Sequence, residues 1–196
     1  MTSPAPNVDF LPYYDLEKYL FETVSPRFAA DRTLSAFDFF SIVIWKANRA
    51  KSKIARRLLA HGNYTDLDSA IGAVLAEVAA ARSPKEKLRV FIEGWGFLLP
   101  MASAILTILY PDEFTVYDIR VCNEIGDYHW VVNKSRYEAI WDGYSKYVAA
   151  VEQSAPTDLS LRDKDRWLWG KSFVEQLKDD IANCFTRAES ESEVDS

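Results

Sequence analysis

An all-α protein is what this sequence predicts, and three observations carry the prediction. Apolar residues recur at helical spacing, most clearly Ile71, Val74, Leu75 and Val78. Helix-starting residues such as Ser35, Asp66 and Ser83-Pro84 stand just ahead of such stretches. Only 7 glycines occur in 196 residues, too few for a turn-rich sheet architecture. Apolar residues make up 48% of the chain, enough for the core of one compact domain or of two small lobes sharing an interface.

Taken in order, a first helix is expected over Tyr14 to Thr23, stopping before Pro26. A second runs from about Ser35 to Trp45, with Ser35 or Thr33 as cap. A third covers Lys51 to Ala60 and ends at His61-Gly62. Asp66 or Asp68 caps a fourth through Ala81, and Ser83-Pro84 starts a fifth through about Glu93. Gly94-Trp95-Gly96 reads as a turn, followed by a helix from Pro100 to Leu109 that Pro111-Asp112 ends. Phe114 to Tyr117 is an extended or irregular connector, and a helix from Asp118 to about Glu124 follows. Two long helices, about Ser135 to Gln153 and Leu161 to Ala182, complete the chain. Short extended pieces at Thr115-Val116 or Trp130-Val132 are compatible with the composition, but no sheet is expected.

Several function classes are excluded by count and composition. Two cysteines, Cys122 and Cys184, cannot ligate a four-cysteine cluster. Two histidines and no cysteine cluster argue against a catalytic metal, so no metal or other cofactor is expected. The start, MTSPAPNVDF, lacks the order of a signal peptide, and the longest mainly apolar run, Phe97 to Tyr110, is too short to span a bilayer. A cytoplasmic monomer with no membrane association is the expectation. No G-x-S-x-G accompanies Ser103, which disfavours a serine hydrolase, and Glu93 with Asp112-Glu113 lacks any cue of a carbohydrate cleft.

The net charge is −6, yet KANRAKSKIARR, from Lys46 to Arg57, carries six basic residues and no acidic one. Such a run on an acidic protein is either a solvated helix face or a phosphate-binding patch. The acidic tail from Glu189 to Ser196 is expected to be disordered.

The segment Gly94 to Val121, GWGFLLPMASAILTILYPDEFTVYDIRV, combines a small-residue turn, an apolar helix, a proline stop and an aspartate opening the next helix. Amides at such a turn and helix start can cradle a phosphate. Over these 28 residues the chain resembles the helix-hairpin-helix and downstream aspartate of the base-excision DNA glycosylase superfamily (HhH-GPD). Setting Ala102 on the family alanine puts Gly96 on the first hairpin glycine and Asp118 on the catalytic aspartate. Leu98 stands where the second hairpin glycine is expected. Pro100 stands where bifunctional members carry a nucleophilic lysine, and no lysine lies between Lys87 and Lys134. Upstream IVIWKANR and downstream DRWLW resemble further parts of some members.

The resemblance implies a two-lobed fold with a central cleft. Residues 1–32 and 113–188 would form one discontinuous helical lobe, and 33–112 a helical barrel ending in the hairpin. It implies a monofunctional glycosylase that hydrolyses the N-glycosidic bond of a damaged or modified base flipped out of double-stranded DNA. Some bacterial members act in phage defence on hypermodified cytosine, and the same role is an extension by analogy. Asp118 would stabilise the oxocarbenium-like transition state, and it is equally a good N-cap. DNA contacts fall to Lys46, Asn48, Arg49, Lys51, Lys53, Gly94, Gly96 and Arg120, with Asn48 filling the gap left by the base. Arg120 is as naturally an i,i+4 partner of Glu124. A base pocket would draw on Trp45, Trp95, Tyr117, Tyr128, His129 and Trp130, although most aromatics of such a chain belong to its core. His61, beside a helix-ending glycine, is expected to be only a cap-region residue. The reading requires Asp118 to face residues 46–57 across a cleft. The alternative is a non-catalytic helix-hairpin-helix module that binds DNA or a protein.

Overall fold

The computed structural model of the protein describes residues 9–186, and among them every regular element is helical. The acidic tail 189–196 lies outside the described residues, as do 1–8 and 187–188 of the expected discontinuous lobe.

After a 3-10 turn at Leu11–Tyr13, α1 (Leu16–Tyr19) starts on Asp15, whose carboxylate accepts the Lys18 N–H at 3.1 Å. The helix does not stop before Pro26 as expected. It widens into a π turn, Leu20–Val24, and continues as α2 (Ser25–Asp31). Proline breaks helices because it lacks an N–H and crowds the carbonyl four residues back. Beginning a new helical segment just after a wide turn places Pro26 where neither defect matters.

The next caps follow the sequence. Ser35 accepts from Asp38 N–H to start α3 (Ala36–Ala47), and a 3-10 turn at Asn48–Ala50 leads into α4 (Lys51–His61). Asp66 caps α5 (Leu67–Ala80), and Ser83 caps α6 (Pro84–Arg89). Here α6 passes into a second π turn, Val90–Gly94, rather than staying α-helical to Glu93.

α7 (Leu99–Leu109) is apolar all round and buried at every position but Pro100. A helix with no polar face has to sit at the centre, and α2, α3 and α6 pack against it. Each fully buried Leu or Ile there contributes about 2 kcal/mol. The connector 114–118 is irregular, not a strand, and leads to α8 (Ile119–Ile125). Residues 130–132 also form no strand but belong to the 3-10 turn His129–Asn133. Gly143 explains how that turn lies on α9 (Tyr137–Ser154): a Cβ there would meet Val131 Cγ2 at 2.7 Å and the Trp130 ring at 2.9 Å. α10 (Leu161–Ala182) then packs along α8 and α9.

One contiguous cluster of buried side chains takes in Phe28 and Tyr147 as well as Ile71 and Leu106, residues from both expected lobes. Among the described residues no helix is long and apolar enough to cross a membrane.

Candidate active site

Asp118 owes its position to a buried stretch of irregular backbone. The connector Phe114–Tyr117 is buried throughout, so its peptide groups need partners that no helix or sheet supplies. Side chains supply them. Tyr144 Oη accepts the Thr115 N–H at 3.2 Å and donates to the Thr115 carbonyl at 2.6 Å. One turn later on α9, Tyr147 Oη donates to the Val116 carbonyl at 2.8 Å. From α7, Ser103 Oγ accepts the Tyr117 N–H at 2.9 Å. Burial raises both tyrosine hydroxyls well above their ordinary range, so they remain donors. The connector is thereby held on two sides just before α8.

Asp118 caps α8, its Oδ1 accepting the Arg120 N–H at 3.0 Å. Its Oδ2 accepts from Lys46 Nζ, at the end of α3, at 2.7 Å, with side-chain exposures of 15% for Lys46 and 22% for Asp118. Lys46 Nζ also lies 3.4 Å from the Tyr117 carbonyl. Asp118 is therefore at once a cap and one half of a half-buried ion pair with the first residue of the basic run.

The pair lines a cleft of about 460 Å³, within the range of small-ligand sites. Trp45 and Trp169 line it from α3 and α10. Asp165 of α10 also lines it, with only 5% of its side chain exposed, and its Oδ2 accepts from Arg162 Nη1. Arg162 in turn pairs with Glu17 of α1 and lies over the Phe21 and Trp45 rings, 4.8 and 5.3 Å from their centroids. Desolvation pushes the Asp165 carboxyl up to about 6; Arg162 and Lys46 oppose the rise, and Asp118 adds to it. The cleft thus holds two neighbouring carboxyl groups in different environments, one paired with Lys46 and one buried against Arg162.

The aromatic pocket expected from sequence does not assemble as a unit. Of its six residues, Trp45 lines the cleft. Trp95 is 2% exposed and stacks on His61 at 4.0 Å, with its indole N–H on Glu77 at 3.1 Å. It is core, because an indole beside the hairpin buries more apolar area against α4 and α5 than a cleft would offer. His61 is accordingly a packing partner of Trp95, beyond its place at the end of α4. Tyr117 is buried, its hydroxyl donating to the Tyr128 carbonyl at 2.8 Å, and both rings pack on Tyr147. His129 meets Asn123 at 2.6 Å, and Trp130 donates to Asp127 and lies under Lys134. These residues hold the 128–134 turn to α8 and α9 instead of lining the cleft.

Among the expected DNA contacts, Asn48, Arg49, Lys51 and Lys53 are exposed, with Asn48 Oδ1 accepting from Lys51 Nζ at 2.9 Å. Arg120 pairs neither with Glu124 nor with an open surface. Its guanidinium donates to Gln176 at 2.6 Å and lies over Trp169, while Glu124 pairs with Lys171. α8 and α10 pack side by side, so this cross-helix pairing displaces the i,i+4 one.

At the hairpin turn Gly96 has φ of +68°, a conformation that favours glycine, and Arg57 of α4 donates to its carbonyl. Leu98 has φ of −80° and is 64% exposed, so nothing in its backbone calls for the second hairpin glycine. Gly94 closes the preceding π turn. The basic run therefore touches the cleft through its first residue, Lys46, and the hairpin through its last, Arg57.

Sequence reasoning gave no site role to Arg162, nor to Asp165 and Trp169, the two ends of the DRWLW segment. Asp165 stands between Leu161 and Leu168 at helical spacing, and a carboxylate on an apolar stripe was the available signal. No protein-family model, curated protein or solved structure matches the chain.

Proposed function

We propose that the protein is a DNA glycosylase with a two-lobed arrangement about this cleft, acting as a monofunctional hydrolase on a damaged or modified base. The observation that carries the reading is the Asp118–Lys46 pair. Residues 72 positions apart meet in a ligand-sized cleft, one at the head of α8 after the buried connector, the other opening a basic run.

Breaking an N-glycosidic bond builds positive charge on the sugar. An ionised carboxylate at the reacting carbon lowers that barrier, and a water held beside it completes the hydrolysis. In the cleft Lys46 Nζ donates to Asp118 Oδ2 at 2.7 Å. When DNA binds, a phosphate oxygen competes for the Lys46 ammonium and leaves the Asp118 charge to the sugar. Pro100 at the position of the nucleophilic lysine of bifunctional members fits hydrolysis without a covalent lyase step. Trp45 and Trp169 give the cleft aromatic walls for a flipped base, with Arg162 over the Trp45 ring and Arg120 over that of Trp169. Lys51 and Lys53 would track the backbone between cleft and hairpin. Modified cytosines, including those of phage DNA, fall within the proposed substrate class, and cytoplasmic action as a monomer belongs to the same proposal.

The test is abasic-site formation on duplex oligonucleotides carrying single damaged or modified bases. Excision by the wild type, lost in a folded Asp118→Asn variant, supports the enzyme. Salt-dependent DNA binding with no excision on any base supports the non-catalytic binding module instead.

A further inference from the structure

Asp165 is a group that the reaction outlined above does not use. It sits on α10 across the cleft from the Asp118–Lys46 pair, and nineteen-twentieths of its side chain is buried. Oδ2 is engaged by Arg162, whereas Oδ1 has no hydrogen-bond partner among the described residues. The small exposure that remains belongs to a carboxyl lining the cleft. A buried carboxyl with one oxygen anchored and the other free toward a cavity is a proton donor held in a fixed direction, since an anion there would forgo solvation on its open side.

Resting on the glycosylase reading, we propose that Asp165 is the acid of this cleft: its Oδ1 hydroxyl protonates the departing base while Asp118 stays ionised beside the sugar. The steps balance. The bond between the sugar carbon and the base nitrogen breaks and its electron pair goes to the base. The Asp165 proton moves to a ring nitrogen of that base, and the base leaves neutral. Water adds to the sugar carbon and gives its proton to the Asp118 carboxylate, Asp118 releases that proton to solvent, and solvent returns one to Asp165, so both groups end as they began. The substrate class follows: bases that are neutral in DNA and poor leaving groups without a proton, such as cytosine or adenine derivatives. Bases already cationic by ring alkylation need no such acid.

The groups facing Asp165 set when it carries its proton. Arg162 on its own helix and Lys46 from α3 favour the anion, while Asp118 at the head of α8 and burial favour the acid. Tyr144 and Tyr147 of α9 lie close enough to interact with it, and Glu17 of α1 reaches it through Arg162. Burial prevails, and the carboxyl titrates at about 6.

The experiment uses the full chain with duplex oligonucleotides bearing 5-hydroxymethylcytosine, other modified cytosines, adenine opposite a mismatch, and N7-methylguanine. Single-turnover excision is followed between pH 5 and 8. On a neutral base, the wild-type rate is expected to fall as pH rises through about 6. Asp165→Asn, which keeps an oxygen for Arg162, is expected to lose that limb and about 100-fold in rate on the neutral base. Any excision of N7-methylguanine should be unchanged in the variant. A wild-type profile flat around pH 6, an equal loss on neutral and cationic bases, or excision confined to N7-methylguanine overturns the acid and leaves the glycosylase standing. A wild type that excises none of these bases removes the glycosylase reading itself, whereas Asp118→Asn retaining full activity removes Asp118 from the chemistry. If Asp165→Asn does not fold, the wild-type profile and base preference decide.

Discussion

Replacing Asp165 by Asn makes a prediction about stability that needs no substrate. In the folded chain its carboxyl titrates at about 6, against an ordinary 3.8. The folded state therefore holds this proton more tightly than the unfolded chain does, and the group favours folding more as pH falls. Its contribution is complete below about 3.8 and is lost as pH rises through about 6. At about 1.4 kcal/mol per pH unit the full difference is about 3 kcal/mol. Between pH 7.5 and 4.5, where titration of the unfolded chain is still small, about 2 kcal/mol of it should be visible. Asn keeps the shape and the Arg162 contact but cannot ionise. Urea unfolding of wild type and Asp165→Asn across this range, read as the difference in unfolding free energy, cancels most other titrating groups. The wild type should gain about 2 kcal/mol on the variant as the buffer goes from pH 7.5 to 4.5. A difference that does not change with pH, or one that moves the other way, refutes the claim that burial dominates the environment of Asp165.

The two jobs of Asp118 separate by substitution. Asn still caps α8, so Asp118→Asn should lose excision while unfolding within about 1 kcal/mol of Asp118→Ala on the more stable side, since the cap alone contributes about that much. Thermal denaturation of the two variants checks it, and an Ala variant as stable as the Asn variant would deny the cap. On the basic run, Lys51→Gln with Lys53→Gln should weaken binding to duplex DNA about equally for all sequences. It should also reduce the slope of log affinity against log salt by up to about 2. An unaltered slope in a salt titration would show that these lysines are only a solvated face.

Much of the fold was legible because capping is local chemistry. Ser35, Asp66, Ser83 and Asp118 each cap the helix that the sequence assigns to them. What was not legible is tertiary. Pro26 reads as a stop, but the π turn before it lets the helix run on. Trp95 stands in the middle of the hairpin motif, yet burial against His61 and Tyr64 decides its place. Asp118 is marked in the sequence by its position after an apolar helix, whereas its contact with Lys46, 72 residues away, is tertiary. The tyrosines that fix the connector, Tyr144 and Tyr147, look in sequence like any core pair on a helix. Asp165 is the instructive omission. A lone carboxylate on an apolar stripe marks either a structural ion pair or a tuned acid, and only the cleft beside it gives it chemistry.

The central claim is that the cleft around Asp118 excises a base from DNA, and release of the free base measures this most directly. Purified wild type and Asp118→Asn are incubated with genomic DNAs of known base modification, including phage DNAs with modified cytosine. Mass spectrometry then identifies what is liberated, and abasic sites are counted in the same samples. The account predicts a released base and matching abasic sites without strand scission by wild type, and neither with Asp118→Asn. Release of the same base by a folded Asp118→Asn, or the absence of any released base across the modified and damaged DNAs, would contradict it.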